Sequence, residues 1–483
     1  MKPNILLIMT DQMRWDAWGR AGGWIKTPVL DQLSQEGVTF TNCMTNSPVC
    51  SPTRLSLATG QYPHNTGVWR NLKGYDLPSD TPTFMQSIRN AGYRTGIIGK
   101  AHLHHHENDI RDRVPLMNTL GFDHVNEIAG PRASSRVLSN MTEEWQKQGV
   151  LEAYIEDFRE RFNHKPYVAR PSTLPLELYY DVYIGNKAKE YIQEADSAHP
   201  WFIQVGFSGP HEPWDAPEPY ASLYDPSVMP KPIERNNFRD SPHRPKGNLD
   251  HLMSHGNMHS PELSLDEIAQ MRANYAGNVT LIDEQIGEII QALKDKNIYD
   301  QTVIVFVSDH GEMNGDYGLI YKETFFNAAV KVPLIIRTPE MKNSSISGSM
   351  YHEMVEFFDI GPTLCDLASG VISYQQFAKS LVPVLENLHV QHRAEAMSEH
   401  KGEIMLASKE WKIVFNQQGE PYLMFHLATD PMELTNLIDH SGYESIVSDF
   451  KDRFIKRIIS TQKYIFHDRP ESAGIEHLIA PKG

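Results

Sequence analysis

Asn4-Ile5-Leu6-Leu7-Ile8-Met9-Thr10-Asp11-Gln12, near the start of this 483-residue chain, sets an unbroken apolar run directly against a polar triplet. An apolar run without alternation reads as a strand buried on both faces, as in a parallel sheet covered by helices. Downstream, Thr27 is placed to cap a helix begun by Pro28 and ended by Gly37. Short apolar runs at Tyr93–Ile98, Trp201–Phe207, Thr302–Val307 and Pro333–Ile336 predict further strands. A long amphipathic helix is expected over Leu265–Lys294, where Val279, Ile282, Ile286, Ile289, Ile290 and Leu293 recur at helical spacing. The fold class is therefore α/β: a large mixed, mostly parallel sheet sandwiched by helices.

In such sheets ligands bind beyond the carboxyl ends of the strands. The first strand ends in Asp11-Gln12, the second run in Gly99-Lys100-Ala101-His102, the third in Gly209-Pro210-His211, and the fourth in Ser308-Asp309-His310. One such residue is commonly a helix cap or a solvated loop side chain. Four strands ending in charged or imidazole groups would converge on one rim. To these the sequence adds Cys50-Ser51-Pro52-Thr53-Arg54-Leu55-Ser56-Leu57-Ala58-Thr59-Gly60, of the form C-x-P-x-R-x-x-x-x-T-G. A cysteine before a proline-started helix is the plain reading of a bare C-x-P-x-R. The full eleven-residue form resembles the signature of the type I sulfatases, within the alkaline-phosphatase-like superfamily. In that family the cysteine is oxidised to formylglycine, whose hydrated aldehyde is the nucleophile. Near the other end, Asp430-Pro431-Met432-Glu433-Leu434-Thr435-Asn436-Leu437 resembles the D-P-x-E-x-x-N-L element of the family's small C-terminal subdomain. The likeness thus covers essentially the whole chain.

The resemblance implies a metal set of Asp11, Gln12, Asp309 and His310, joined by an oxygen of the Cys50-derived formylglycine. An oxygen-rich set of this kind suits Ca²⁺, the first choice, with Mn²⁺ and Mg²⁺ as alternatives. The commonest family pattern is Asp-Asp on the first strand and Asp-Asn on the later one. Gln12 and His310 depart from it, which leaves the metal's identity open. It further implies that one hydroxyl of the gem-diol attacks sulfur, while Lys100, Arg54 and Lys322 stabilise the sulfuryl oxygens. Arg54 also orients the formylglycine. His211 is the expected general acid, with Lys322 beside it near the leaving group. His102 takes the proton of the second hydroxyl as sulfate is expelled. The implied substrate is a sulfate ester on a carbohydrate, a sulfated saccharide or glycan end, and the implied partner is a formylglycine-generating or anaerobic sulfatase-maturating enzyme. A formylglycine-dependent phosphonate monoester or phosphodiester hydrolase is the alternative within the superfamily. A non-catalytic binder of sulfated glycans is the alternative from another class.

An apolar fraction of 40% and a charged fraction of 22% are those of an ordinary globular protein, and no apolar run is long enough for a membrane helix. A formal net charge of -16 argues against a nucleic-acid partner and favours recognition in a local pocket over tracking along a polyanion. Cys43, Cys50 and Cys365 do not make a disulfide framework. The opening MKPNILLIMTDQ is too soon polar for a signal peptide, which places the chain in the cytoplasm, or in the periplasm or outside if a leader was removed. Ile110 to Arg170 and Tyr220 to Ser260 read as surface insertions that shape a pocket. His104-His105-His106 and Arg111-Asp112-Arg113 read as a charged, solvated loop, or else as a subsite for a second sulfate or a carboxylate. Trp214 is either a stacking platform for a sugar or a packed loop aromatic. The C-terminal part alternates as antiparallel strands at Trp411–Phe415 and Leu423–Leu427, with a turn between them and a last helix near Tyr443–Ile458. The expected division is a catalytic α/β domain over residues 1–385 and a small α+β subdomain over 386–483.

Overall fold

The computed structural model describes residues 2–163, 169–234 and 263–463. Eight strands make the main sheet: β1 (Asn4–Asp11), β2 (Val38–Phe40), β3 (Arg94–Gly99), β4 (His124–Glu127), β5 (Trp201–Pro210), β6 (Thr302–Ser308), β7 (Leu334–Arg337) and β8 (Met350–Tyr351). Their order is β8-β2-β7-β6-β1-β5-β3-β4. Only β7 runs against the rest, so the sheet is mixed and mostly parallel. β1 lies between β5 and β6, with Ile5 opposite Phe202 and Val303, and Met9 opposite Gly206 and Val307.

That central place accounts for the unbroken apolar run. Successive side chains of a strand point to opposite faces. Leu6 and Ile8 enter a core shared with α1 (Pro28–Glu36), α3 (Tyr180–Glu194) and α4 (Leu265–Asp295), while Ile5, Leu7 and Met9 enter the opposite core with α2 (Cys50–Thr59) and α5 (Ile360–Leu367). Helix α1 begins at the expected residue but by another device. Thr27 makes no side-chain cap, its hydroxyl accepting instead from the Gly19 amide, and the Asp283 carboxylate of α4 takes the amides of Val29 and Leu30 at 3.0 and 2.8 Å. Gly37 ends α1 in an extended conformation, not a left-handed one. Its need is space, since a Cβ there would lie 2.5 Å from the Ile336 carbonyl oxygen.

The stretch from Ile110 to Arg170 is more than a surface insertion. It supplies β4, the sheet's edge, and plants Met117, Phe122, Met141, Trp145 and Tyr154 in the cores. Its residues 164–168, and 235–260 of the second expected insertion, lie outside the described residues; Tyr220–Ser222 and Pro226–Val228 form single 3-10 turns. Among the described residues no helix is long and apolar enough to cross a membrane.

The small antiparallel sheet has four strands where two were expected: β9 (Ala396–His400), β10 (Glu403–Ala407), β11 (Trp411–Phe415) and β12 (Pro421–His426), paired in sequence order. β9 hid from pattern reading because Ser398, Glu399 and His400 are all buried polar residues. Glu399 is held by His64 at 2.6 Å and His400 by Glu323 at 3.2 Å, so side-chain contacts tie this strand to the short helix Pro63–Thr66 and to the loop that carries Lys322. Helix α6 (Glu444–Ser460) covers the small sheet through Phe450 and through Phe454, stacked 4.6 Å from Phe415.

The Asp430–Leu437 segment is the clasp of this subdomain. Asp430 turns the chain by accepting the amides of Leu434 and Thr435, and Asn436 bonds Met424 and Tyr422 of β12. Glu433 receives the ammonium of Lys412, a fully buried cation on β11, and the amide of Asn327 at 2.6 Å. Removing one partner of such a pair strands the other charge in the interior, at a cost of about 3–5 kcal/mol. Glu433→Ala is therefore expected to lower the melting temperature markedly. The double variant Lys412→Met/Glu433→Gln, which removes the charge pair together, should recover most of the loss. A single variant that melts like the wild type would show that the pair contributes nothing.

Candidate active site

Five elements deliver the side chains. Asp11 ends β1, Lys100 follows β3, His211 follows β5, Asp309 and His310 follow β6, and Cys50 is the first residue of α2. The pairing of β1 with β5 shifts register between Met9 and Asp11, which sets Asp11 opposite Pro210 and so beside His211. Every residue of α2 is buried, and no side chain caps its start. The positive end of the helix therefore points at Cys50, a setting that favours a thiolate.

Asp11, Cys50, Asp309 and His310 present ligand atoms within 4.8 Å of one another, all buried. Cys50 Sγ lies 3.1 Å from His310 Nε2 and 3.8 Å from Asp11 Oδ1; His310 Nε2 is 3.6 Å from Asp309 Oδ1. His310 Nδ1 faces the Gly311 carbonyl at 3.0 Å. That bond places the proton on Nδ1 and turns the Nε2 lone pair toward the carboxylates, the tautomer of a metal ligand. Asp11 divides its oxygens, Oδ1 facing His310 and Cys50 while Oδ2 takes Lys100 and, at 3.3 Å, Arg54. The donor set, two carboxylates, one inward imidazole lone pair and the Cys50 position, fits a hard or borderline divalent cation.

Arg54 is bound on every nitrogen: Nε to Asp309 at 2.8 Å, Nη2 to Asp11, and Nη1 to the Lys100 carbonyl at 2.6 Å. It is buried behind the carboxylates and does not line the cleft. Gln12 adopts a left-handed φ of 71°. Its amide nitrogen donates to Glu212 and Glu312, which leaves the amide oxygen to accept from Lys322. That oxygen is the atom a metal would take, and the two glutamates fix its direction.

Burial raises the Cys50 pKa, but Lys322, Lys100, His310 and a hydrogen bond from His102 hold it well below that of an ordinary thiol. Burial and Cys50 push the Asp11 carboxyl up; Lys100, His211 and Arg54 overcome both and keep it well below the usual carboxylate range. His102 is driven down to about 3, first by burial and then by His106 and Lys100, so it is a neutral imidazole. His211 Nδ1 points at the Glu212 carbonyl, 2.8 Å away, and at Glu212 Oε2, 3.0 Å away.

A cleft of about 570 Å³ opens over this cluster, lined by Cys50, Lys100, His102, His211 and Lys322 among others. A larger hollow of about 1010 Å³ surrounds Arg94, Asp123 and Trp201, at the opposite ends of the strands and away from the cluster. The histidine-rich loop is not solvated. His104 is fully buried against Glu127 at 2.6 Å, and His106 sits between that carboxylate and a stack on His102, with ring centroids 4.7 Å apart. Glu127 also takes the His102 amide at 3.2 Å, and so secures a residue held at φ 59°. Arg111 pairs with Asp109 and Glu143, and Arg113 with Asp76 at 2.8 Å, which agrees with a charged loop for this stretch and not with its alternative, a subsite. Trp214 is buried and stacked on Tyr321, centroids 5.9 Å apart, which makes it a packed aromatic and no sugar platform.

Glu127, Glu212 and Glu312 escaped the sequence reading. Glu212 and Glu312 adjoin residues already singled out. Glu127 ends β4, a fifth strand of the parallel run, and the strand-end rule would have found it had His124–Glu127 been read as a strand.

The Sulfatase family model matches residues 3–371, and a second, N-sulphoglucosamine sulphohydrolase C-terminal, matches residues 315–460. An arylsulfatase of Clostridium perfringens is 29% identical over 477 residues, covering 95% of each chain. A choline-sulfatase of Rhizobium meliloti is 28% identical over 91% of this chain and 83% of its own. Among solved structures, the phosphonate monoester hydrolase of Agrobacterium radiobacter superposes with a TM-score of 0.79 at 27% identity, over 95% of this chain and 96% of that one. With a family model spanning residues 3–371 and an alkaline-phosphatase-like fold, the chain belongs to the sulfatase family.

Proposed function

We propose that the protein hydrolyses a sulfate ester of a carbohydrate, with Cys50, matured to formylglycine, as nucleophile. The observation that carries this reading is Cys50 itself. It stands at a helix N-terminus between two buried carboxylates and His310, with Lys100, Lys322, His102 and His211 on the same cleft wall. The maturation partner would be a formylglycine-generating or anaerobic sulfatase-maturating enzyme. When present, the hydrated aldehyde supplies a hard oxygen nucleophile, and a divalent cation held by Asp11, Asp309, His310 and the Gln12 oxygen neutralises charge on the sulfuryl oxygens.

The remaining work falls to fixed side chains. Lys100 and Lys322 face the cleft with buried stems, so their ammonium groups meet the sulfuryl oxygens in a poorly solvated setting, where they act strongly. Arg54 acts one layer behind, fixing both carboxylates. His211 has Nδ1 committed to Glu212, which leaves Nε2 to hold the proton for the leaving oxygen. His102, neutral and hydrogen-bonded to Cys50, is in the protonation state needed to accept a proton at that position.

The superposition on a phosphonate monoester hydrolase sustains a second reading, in which the ester is a phosphonate monoester or phosphate diester, also a monoanion. A panel of defined sulfated saccharides, beside nitrophenyl sulfate and phosphate diester and phosphonate controls, separates the two. A protein that keeps an unmodified thiol, binds no metal and turns over none of these would be a glycan binder.

Intact mass is expected to be about 18 Da below that of the unmodified chain, as conversion of Cys50 requires. Elemental analysis is expected to give about one divalent ion per chain, Ca²⁺ first, lost on chelation together with activity. Asp309→Asn removes a formal charge from the ligand set and should weaken binding by about ten-fold or more. Full activity in a chelated, metal-free sample would refute the ligand assignment. His211→Ala should lower kcat on a sugar sulfate by about 10²–10⁴-fold and harm nitrophenyl sulfate far less, because nitrophenolate leaves without a proton. His102→Ala acts after the alcohol has gone and should slow both substrates alike, with a burst of one equivalent of alcohol. Equal losses for both substrates in His211→Ala, with chemistry rate-limiting, would remove His211 from the acid role.

A further inference from the structure

Resting on the sulfatase reading and deepening it, we propose that Arg132 and Arg136 form a subsite for a second anionic group, a carboxylate or another sulfate, on the alcohol side of the ester. The substrate is then the sulfate of an acidic saccharide and not of a neutral sugar. Both arginines line the cleft over Cys50. They are carried by the short helix Pro131–Ser134 and the turn that follows it. Gly130, at φ 82°, lets that segment pass against Lys100; a Cβ there would lie 3.3 Å from Lys100 Nζ.

The placement of Arg132 is specific. Its Nη2 lies 3.1 Å from Glu212 Oε1, and Glu212 is the neighbour of His211. Its guanidinium carbon stands 5.9 Å from the ring centroid of Tyr321, the neighbour of Lys322. Arg132 is thus bracketed by the chain neighbours of the two residues assigned to the leaving group, on the side where the alcohol portion must lie. Arg136 is one turn further along the wall, its Nη1 donating to the Arg132 carbonyl at 3.2 Å. Among the described residues no carboxylate comes within ion-pair distance of Arg136. Burial and the like charge of Arg132 both disfavour its charged form. Lys73 adds a third exposed cation to the same cleft.

Of the acids of the cleft, Glu323 is with Lys401 at 2.7 Å, Glu212 is shared by Arg132, His211 and Gln12, and Glu107 lies 3.0 Å from His105; none of the three pairs with Arg136. Arg136, beside Arg132 on the cleft wall and with no carboxylate at ion-pair distance among the described residues, calls for an anion. The planar forks of the two arginines match a carboxylate or a sulfate through paired hydrogen bonds.

The test uses the full matured chain and reads competitive inhibition of nitrophenyl sulfate hydrolysis by glucuronate, N-sulfoglucosamine and glucose. At least one of the two acidic sugars is expected to inhibit about ten-fold or more strongly than glucose, and which one does so tells carboxylate from sulfate. Arg136→Gln should bring the ratio of inhibition constants close to one, and Arg136→Lys should restore part of it. Equal inhibition by all three sugars, or a ratio unmoved in Arg136→Gln, overturns the subsite. If nitrophenyl sulfate is not turned over at all, the sulfatase reading fails separately, and the same three sugars compared by calorimetry still decide whether the arginines bind an anion.

Discussion

Two carboxylates with no exposed surface, Asp11 and Asp309, face each other at the ends of adjacent parallel strands, and Arg54 holds them there. Leaving two such anions together without a counter-charge would cost several kcal/mol per ion. Arg54 meets that demand from α2 and Lys100 meets it from the end of β3. Three otherwise separate pieces of the chain are thereby locked in one geometry. The same helix turn that presents Arg54 also presents Cys50, four residues earlier and therefore on the same face. The spacing C-x-x-x-R is thus a structural demand: the group that binds the carboxylates and the group that faces the cleft must emerge from one side of one helix.

This arrangement explains what was legible in the sequence. The strands of the parallel run are buried on both faces, so β1, β5 and β6 announced themselves as apolar blocks, and their carboxyl ends gave Asp11, His211, Asp309 and His310 by a rule of topology alone. Lys322 needed the family likeness, because Tyr321-Lys322-Glu323 follows no strand. β4 and β9 stayed hidden for different reasons. β4 is a four-residue edge strand in which only Val125 is apolar, while β9 buries its polar residues against partners far away in sequence, Asn46, His64 and Glu323. The caps were misjudged for the second reason as well. The first amides of α1 are satisfied by Asp283, some 250 residues on, a pairing that no local pattern encodes.

The histidine loop shows the same limit. Read locally, His104-His105-His106 is a run of hydrophilic side chains that belongs in water. In the fold, one carboxylate from β4 gathers His104 and His106, and the stack of His106 on His102 completes a chain of imidazoles that ends at Cys50. Glu127 is held well below the ordinary carboxylate range despite its burial, chiefly because His104 compensates its charge, and the pair forms a rigid floor beneath His102. His102 sits in a backbone region that few non-glycine residues adopt. Its position is thus fixed from below by Glu127 and from the side by His106, as the proposed proton-acceptor role would require.

To bind an anionic ester, as proposed, a protein of net charge -16 must separate its global field from its local one. At physiological ionic strength charges act over about 8 Å, so acids elsewhere on the surface are screened from the cleft. What an arriving anion meets is Lys100 and Lys322 deep in the cleft, with Lys73, Arg132 and Arg136 on its walls. The deep pair is matched to the buried carboxylates and Cys50, and in the proposed function it would take up the reacting group. Arg136 in the wall set has no carboxylate at ion-pair distance among the described residues, and in the proposed subsite this set would hold the part of the substrate that does not react. Affinity drawn from that non-reacting part can be used to orient the ester for cleavage. On the proposed reading, a cation on the cleft wall that the chemistry itself does not use would select the substrate by a second charge that the substrate carries.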